Sequence, residues 1–319
     1  MTIFFRFPHE NSLYTTDFSE EHSSVSFISF DGKSEIKIAG NIVSIEKEDL
    51  HKNAFPLPEK KEFSADETQE EYIEKINQTI RIIKENRLPK LVISRKKNIP
   101  VQNPDIPKTF LNLCEKYPSA FVYAFENNGN CWIGAFSELL GKFNKKTSEF
   151  ETMSLAGTLP LEEEWTSKEI EEQKPVTEYI AGILGKYAKD VEQSETFDHI
   201  SGNIKHLRTD FRIKLEEKHL DQLISKLHPT PAVCGIPKDF CKEQIQNLEQ
   251  FSRELYGGYS RTETEDFICF FVNLRCGKVY SNCIELFAGG GITALSSPEK
   301  EWRETELKMQ ALGKNLVFK

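Results

Sequence analysis

Nowhere in the 319 residues does an apolar run approach the roughly 18 to 20 residues needed to cross a bilayer. The opening MTIFFRFPHENSLY has one arginine, a proline and an early polar break, without the charged, apolar and small-residue succession of a secretory leader. Together these absences predict a cytoplasmic protein with no membrane partner. Basic excess is missing as well, since 41 Lys and Arg stand against 50 Asp and Glu, a formal charge of −9. A dedicated nucleic-acid binder normally carries a dominant basic patch, so that class is excluded. Anionic small molecules are not, because a few side chains set the local sign of a pocket.

Cysteines number seven, an odd count with no Cys-x-x-Cys ligand pair. Cys269, Cys276 and Cys283 recur every seven residues, as do Cys234 and Cys241, mostly in β-rich sequence. Reduced, buried, small apolar side chains are therefore expected, without a disulfide framework or a zinc site. Tandem repeats and low-complexity tracts are also absent.

What remains is 38% hydrophobic and 29% charged residues, the composition of a globular chain. The length alone suggests about two domains or one large α/β unit, and no break in composition separates two cores. SVSFISF and KSEIKIAG around Asp31-Gly32 form a β-hairpin pattern. AFVYAFE and CWIGAF around Asn127 to Asn130 repeat it. Residues 66–86 place Tyr72, Ile73, Ile76, Ile80 and Ile83 at steps of three and four, the spacing of an amphipathic helix. LVISR at 91–95 follows as a strand, and ETMSLAGT at 151–158 as a strand running into a Gly turn. Residues 162–189 read as helical with Pro175 starting or kinking a helix. Further helices are expected over 238–250 and after Ser296-Ser297-Pro298. DFICFFVNLRC and KVYSNCIELFA read as two long antiparallel strands flanking Cys276-Gly277-Lys278, and residues 53–62 as a connector. Strands joined by hairpins outnumber helices, which favours large antiparallel sheets over a doubly wound parallel one.

Charged residues stand at the ends of several apolar elements. Lys90 precedes LVIS, Glu138 follows WIGAFS, Arg275 ends FFVNL, and Glu304 and Lys308 lie four apart on one helix face. Taken singly, each has an ordinary explanation as a turn residue or a surface ion pair. FAGGGIT at 287–293 lacks the Lys-Ser/Thr of a P-loop and the G-x-G-x-x-G of a dinucleotide site. It reads as a tight Gly-rich turn whose amides can approach a carboxylate.

Longer strings decide the family. LPKLVISR (88–95), SLAGTLP (154–160), LHPTPAVCGIPK (227–238), FAGGGIT (287–293) and EWRETELK (301–308), in this order, resemble the chorismate-binding enzymes. That family comprises the isochorismate, salicylate, anthranilate and aminodeoxychorismate synthases. The resemblance covers roughly 65–315; residues 1–60 match it weakly and are β-rich. It implies one domain over 1–319 of mixed α/β (α+β) class, with two large, mainly antiparallel sheets packed together and helices outside.

The resemblance also implies a chemistry. Ala156 stands where aminodeoxychorismate synthases commonly carry an attacking lysine, and Lys90 where water-adding members carry Lys rather than the Gln of ammonia users. No amidotransferase triad and no Leu-Leu-Glu-Ser regulatory motif are present, so no amidotransferase subunit is expected. An isochorismate synthase, an isomerase of menaquinone type, is implied. Salicylate synthase or a siderophore-pathway isochorismate synthase is the alternative; anthranilate synthase component I and a non-catalytic chorismate binder follow behind. Lys90 is then the base that activates water for C2 of chorismate and Glu138 the acid that protonates the departing C4 hydroxyl. Mg²⁺ would be held by Glu172 and Glu304, and substrate by Thr158, His228, Tyr256, Arg275, Gly289, Gly291 and Lys308. Gln173, Pro175, Leu255 and Gly290 depart from the family pattern, and the first two leave the helix start near Glu172 open. Monomer and homodimer are both compatible with the sequence.

Overall fold

Short alternating runs build two nine-stranded sheets, as seen in a computed structural model that describes residues 1–19, 22–52, 55–59, 62, 65–201 and 204–318. In hydrogen-bonded order the first sheet contains Gly235–Ile236, Lys90–Pro100, Cys283–Ile292, Cys276–Val279, Asn130–Phe136, Phe121–Asn127, Thr2–Arg6, Leu13–Thr16 and Ile42–Ile45. The second runs Glu192–Gln193, Ile204–Lys214, Glu149–Pro160, Leu139–Asn144, Phe267–Val272, Tyr259–Glu263, Val25–Ile28 and Glu35–Ile38, with Phe197–Ser201 also on Ile204–Lys214. All of these strand pairs are antiparallel. The weakly matching amino-terminal strands thus extend both sheets.

The sheets meet through aromatic side chains. Phe27 of the second lies 4.7 Å from Tyr123 and 4.6 Å from Phe125 of the first, and Phe121 stacks on Phe271 at 4.8 Å. Such pairs contribute about 0.5–1.5 kcal/mol each beyond the area they bury. Six α-helices flank the sheets among the described residues: α1 Gln69–Asn86, α2 Ile106–Lys116, α3 Ser167–Leu184, α4 Leu220–Leu227, α5 Lys238–Leu248 and α6 Pro298–Gly313. None is long and apolar enough to cross a membrane.

Local chemistry sets the helix starts. Thr68 and Glu71 form a capping box at α1, as Thr166 and Glu169 do at α3. Helix α3 therefore begins at Ser167, well ahead of Glu172, and Pro175 lies inside it, removing the amide that would bond to the Glu171 carbonyl. Helix α6 has Pro298 in its first turn, where a missing N–H costs nothing.

Both hairpins form, with Val25 opposite Ile38 and Phe121 opposite Phe136. Two expectations change. Cys276–Val279 is not a turn but a strand of the first sheet, while Phe267–Val272 belongs to the second. The chain crosses between sheets over residues 273–275, where Arg275 takes a left-handed φ of 44°. FAGGGIT is likewise no turn. From Phe287 to Ile292 it is strand, paired with Leu91 to Lys96, because its partner strand supplies the ladder that glycine propensity does not. The connector read over 53–62 falls partly outside the described residues. None of the seven cysteines is disulfide-bonded, and all but the half-buried Cys114 are buried.

A buried ion pair fixes the strand that opens with Lys90. Glu249 accepts from the Ser94 amide (2.6 Å) and hydroxyl (2.8 Å) and pairs with Arg253, whose guanidinium donates to the carbonyls of Val233 (2.7 Å) and Val92 (3.0 Å). Val92 and Val233 in turn form part of a cavity wall.

Candidate active site

Where the Lys90–Pro100, Glu149–Pro160 and Cys283–Ile292 strands approach α3 and α6, one cavity collects Lys90, Glu138, Thr158, Glu172, Tyr256, Arg275, Gly289, Gly291 and Lys308. These come from across the whole chain and include nine of the side chains or glycines expected from the sequence. A wider groove bordered by residues 29–36 and 242–255 holds none of them.

Lys90 is the first residue of its strand and only 2% exposed. Its Nζ lies 2.8 Å from Glu172 Oε1 on α3. The other oxygen, Oε2, faces Lys168 Nζ at 3.2 Å, one helical turn earlier. Burial would raise the Glu172 pKa, but the Lys90 and Lys168 charges prevail and bring it down to about 2. Glu138, between the Asn130–Phe136 and Leu139–Asn144 strands, behaves in the opposite way. It is buried, accepts one hydrogen bond from Thr230 Oγ1 (3.2 Å), and has its pKa pushed up to about 7 by burial, against the pull of Thr230, Lys90 and Lys308. Two carboxyls in one cavity are thus held in different protonation states near neutral pH.

The opposite wall depends on an irregularity in the Glu149–Pro160 strand. Register with Ile204–Lys214 shifts between Ala156 and Leu159, and Gly157 adopts a φ of 72°. A bulge of this kind re-aims side chains, and here Thr158 Oγ1 lies 3.1 Å from His206 Nδ1, which also meets the Gly157 carbonyl at 3.0 Å. Burial first, then the Arg275 and Lys308 charges, hold the His206 pKa well below its ordinary value. A neutral ring donating from Nδ1 leaves Nε2 to accept from Arg275, 3.0 Å away. Arg275 also donates to Ser201, and burial lowers its pKa to about 10. Its guanidinium is therefore fixed at two points before any ligand arrives. Tyr256 stacks on Phe287 at 5.7 Å, and burial raises the pKa of its phenol.

The glycines act by letting groups approach. A Cβ at Gly291 would stand 2.2 Å from Glu172 Oε1 and 2.4 Å from Lys90 Cε. Gly291→Ala is expected to fold with a loss of about 1–3 kcal/mol from overpacking and to lose about 10²-fold in kcat by displacing Lys90; melting curves beside steady-state rates check this. Gly289 contributes its carbonyl to Lys308 Nζ at 2.9 Å.

Two predicted residues lie elsewhere. Glu304 on α6 pairs with Lys308 at 2.7 Å but opens onto a neighbouring cavity with Lys168, Glu169 and Glu301. His228 does not line this cavity. Its ring faces the Phe30 carbonyl (3.2 Å) and the Tyr259 ring (4.7 Å). From that string it is Thr230, Ala232 and Val233 that meet the site. Sequence reasoning missed Thr230, His206, Ser201, Lys168 and Glu301. Only the last two carried a signal, a four-residue spacing to Glu172 and a three-residue spacing to Glu304.

The carboxylates of α3 and α6 form an oxygen-rich edge. Glu301 is 2% exposed, accepts at Oε1 from Ser296 (2.7 Å), and has its pKa pushed up by burial and by Glu304 and Glu172, against the opposing Lys168 charge. Its Oε2 has no hydrogen-bond partner among the described residues. Among the described residues there is no preformed group of three or more His, Cys, Asp or Glu ligands.

Comparison with known proteins fits this geometry. A family model described as chorismate binding enzyme matches residues 25–317. An isochorismate synthase of Escherichia coli K12 is 30% identical over 200 residues, covering 58% of this chain and 51% of its own. A second isochorismate synthase, from Haemophilus influenzae, is 28% identical over 253 residues, covering 74% and 58%. The chain spans about half the length of the first of these relatives. The solved structure of the menaquinone-specific isochorismate synthase of Escherichia coli superposes with a TM-score of 0.80 at 18% identity, over 98% of this chain and 88% of that one.

Proposed function

This chain belongs to the chorismate-binding enzymes, and we propose that it is an isomerase converting chorismate to isochorismate by adding water at C2 and expelling the C4 hydroxyl. One observation carries the reading: Lys90 and a Glu138 carboxyl whose pKa is about 7 share a cavity in which Ala156 supplies no nucleophile. Lys90 in its neutral form takes a proton from water as the oxygen bonds to C2. The two ring double bonds shift, the C4–O bond breaks, and Glu138 gives its proton to the leaving hydroxyl, which departs as water. Return of the proton from Lys90 to Glu138 through solvent completes the cycle, and each transfer is worth about 10²–10⁴-fold.

Mg²⁺ suits the carboxylate edge. Hard oxygen donors and a Glu301 Oε2 without a hydrogen-bond partner among the described residues suit an ion that keeps waters and takes one or two carboxylates plus substrate. Glu172 and Glu304 are the residues to hold it. When bound, the ion would neutralise and anchor the ring carboxylate beside Lys308. Arg275, held by His206 and Ser201, would bind the enolpyruvyl carboxylate, and Thr158, Tyr256, Gly289 and Gly291 line the same cavity. Arg275→Lys keeps the charge but loses the planar fork; it is expected to raise KM for chorismate about tenfold with a smaller change in kcat, read from initial rates.

Purified protein incubated with chorismate and Mg²⁺, with products separated by chromatography, tests the reading. Isochorismate as the sole product supports it. Salicylate with pyruvate would make the chain a salicylate synthase, and ammonia-dependent anthranilate would overturn water as the nucleophile. Menaquinone supply is the narrower form of the proposal; a vibriobactin-specific isochorismate synthase matches at 27% identity and an isochorismate synthase named MenF at 28%.

A further inference from the structure

Three lysines serve Glu172, Glu301 and Glu304, and two of them have one clear carboxylate partner each. Lys90 pairs with Glu172 at 2.8 Å and Lys308 with Glu304 at 2.7 Å. Lys168 is different. Its Nζ bridges two helices, 3.2 Å from Glu172 Oε2 and 3.3 Å from Glu301 Oε1, with Glu169 at 4.0 Å. Glu169 is already used in the α3 cap. Among the described residues, Lys168 is the cation within ion-pair distance of buried Glu301.

The second oxygen of Glu301 is the independent observation. Oε2 is buried without a partner and points towards Gly290, where a Cβ would come within 2.7 Å of it. A buried carboxylate with one oxygen on an ammonium and the other unmatched is half satisfied, which is costly in a low-dielectric setting. Lys168 itself is 16% exposed, on a flexible stem in the first turn of α3. Its side chain is the more exposed of the two that meet Glu172, since that of Lys90 is 2% exposed.

We infer that Lys168 is the resident counter-cation of the metal-free site, holding Glu172 and Glu301 together until a divalent ion takes their charge and displaces its ammonium. The inference rests on the Mg²⁺ reading above. A divalent ion and an ammonium cannot share the same Glu172 oxygen without strong repulsion at such distances. Lys168 therefore stabilises the empty site and weakens Mg²⁺ binding by competition.

Melting curves in EDTA and calorimetric titration with MgCl₂ alone, both without substrate, test this. Lys168→Gln is expected to melt about 5 °C or more below wild type in EDTA, to bind Mg²⁺ about tenfold more tightly, and to gain more from Mg²⁺ in melting temperature than wild type does. If the variant folds only when Mg²⁺ is present, that is the same result in stronger form. Adding Glu301→Gln to it should recover the melting temperature in EDTA. Unchanged melting of Lys168→Gln in EDTA would overturn the inference, as would weaker Mg²⁺ binding than wild type. Wild-type protein that binds no Mg²⁺ and turns over chorismate in EDTA would sink the metal reading itself, and displacement with it.

Discussion

Lys90→Gln should lower kcat for isochorismate formation by about 10²–10⁴-fold, the usual worth of a positioned proton acceptor, while KM for chorismate stays within about threefold. The side chain is buried and points at Glu172, so Gln preserves volume and can still donate to Oε1, but it cannot accept a proton from water. Loss of the ion pair leaves the Glu172 carboxylate with Lys168 alone and costs stability, so melting temperature must be followed in parallel. A folded Lys90→Gln protein with near wild-type kcat would remove Lys90 from the mechanism.

The second large effect belongs to Glu138 and has a definite pH signature. With its pKa at about 7, the acid is protonated below that pH and loses its proton above it. The wild-type kcat should therefore fall as pH rises through about 7. Glu138→Gln should be lower by about 10²–10⁴-fold and lose this limb. Wild-type stability falls in the same direction. A carboxyl raised in the folded state is ionised more readily in the unfolded chain, so folding loses free energy as pH rises from the ordinary carboxyl range towards 7. The penalty is complete above 7 and absent below about 4.5. It amounts to as much as about 3 kcal/mol at one pH unit per 1.36 kcal/mol. Glu138→Gln should thus be more stable than wild type at pH 8 and not at pH 4.5. Chemical denaturation at the two pH values measures it. A wild-type rate that is flat across pH 6 to 8, with no stabilisation of the variant at pH 8, would assign the proton donor elsewhere.

Much of this site was visible in linear order because its parts sit at element ends. Lys90 opens a strand, Glu138 joins two, and Glu304 and Lys308 share a helix face, all of which period and breaker residues reveal. What stayed hidden depends on pairing between distant segments. A run of three glycines has no strand propensity, so Gly289 to Gly291 become strand only because Val92 to Ser94 lie opposite. His206 looks like any alternating residue until the bulge at Gly157 and the crossover at Arg275 bring both groups to its ring. Lys168 and Glu172 have the spacing of a surface ion pair; only the approach of α6, which puts Glu301 against them, makes the cluster buried. In LHPTPAV, alternation does not say which side chain faces inward, and the structure selects Thr230 over His228.

Water as the nucleophile is the central claim, and the origin of the new hydroxyl oxygen tests it most directly. Chorismate is turned over in H₂¹⁸O and the isochorismate is analysed by mass spectrometry with fragmentation that locates the C2 oxygen. Activation of solvent water by Lys90 predicts one ¹⁸O at C2 in each product molecule formed in the forward direction. Isochorismate carrying unlabelled oxygen at C2 would mean that the C4 hydroxyl is passed across the ring, and would contradict the account.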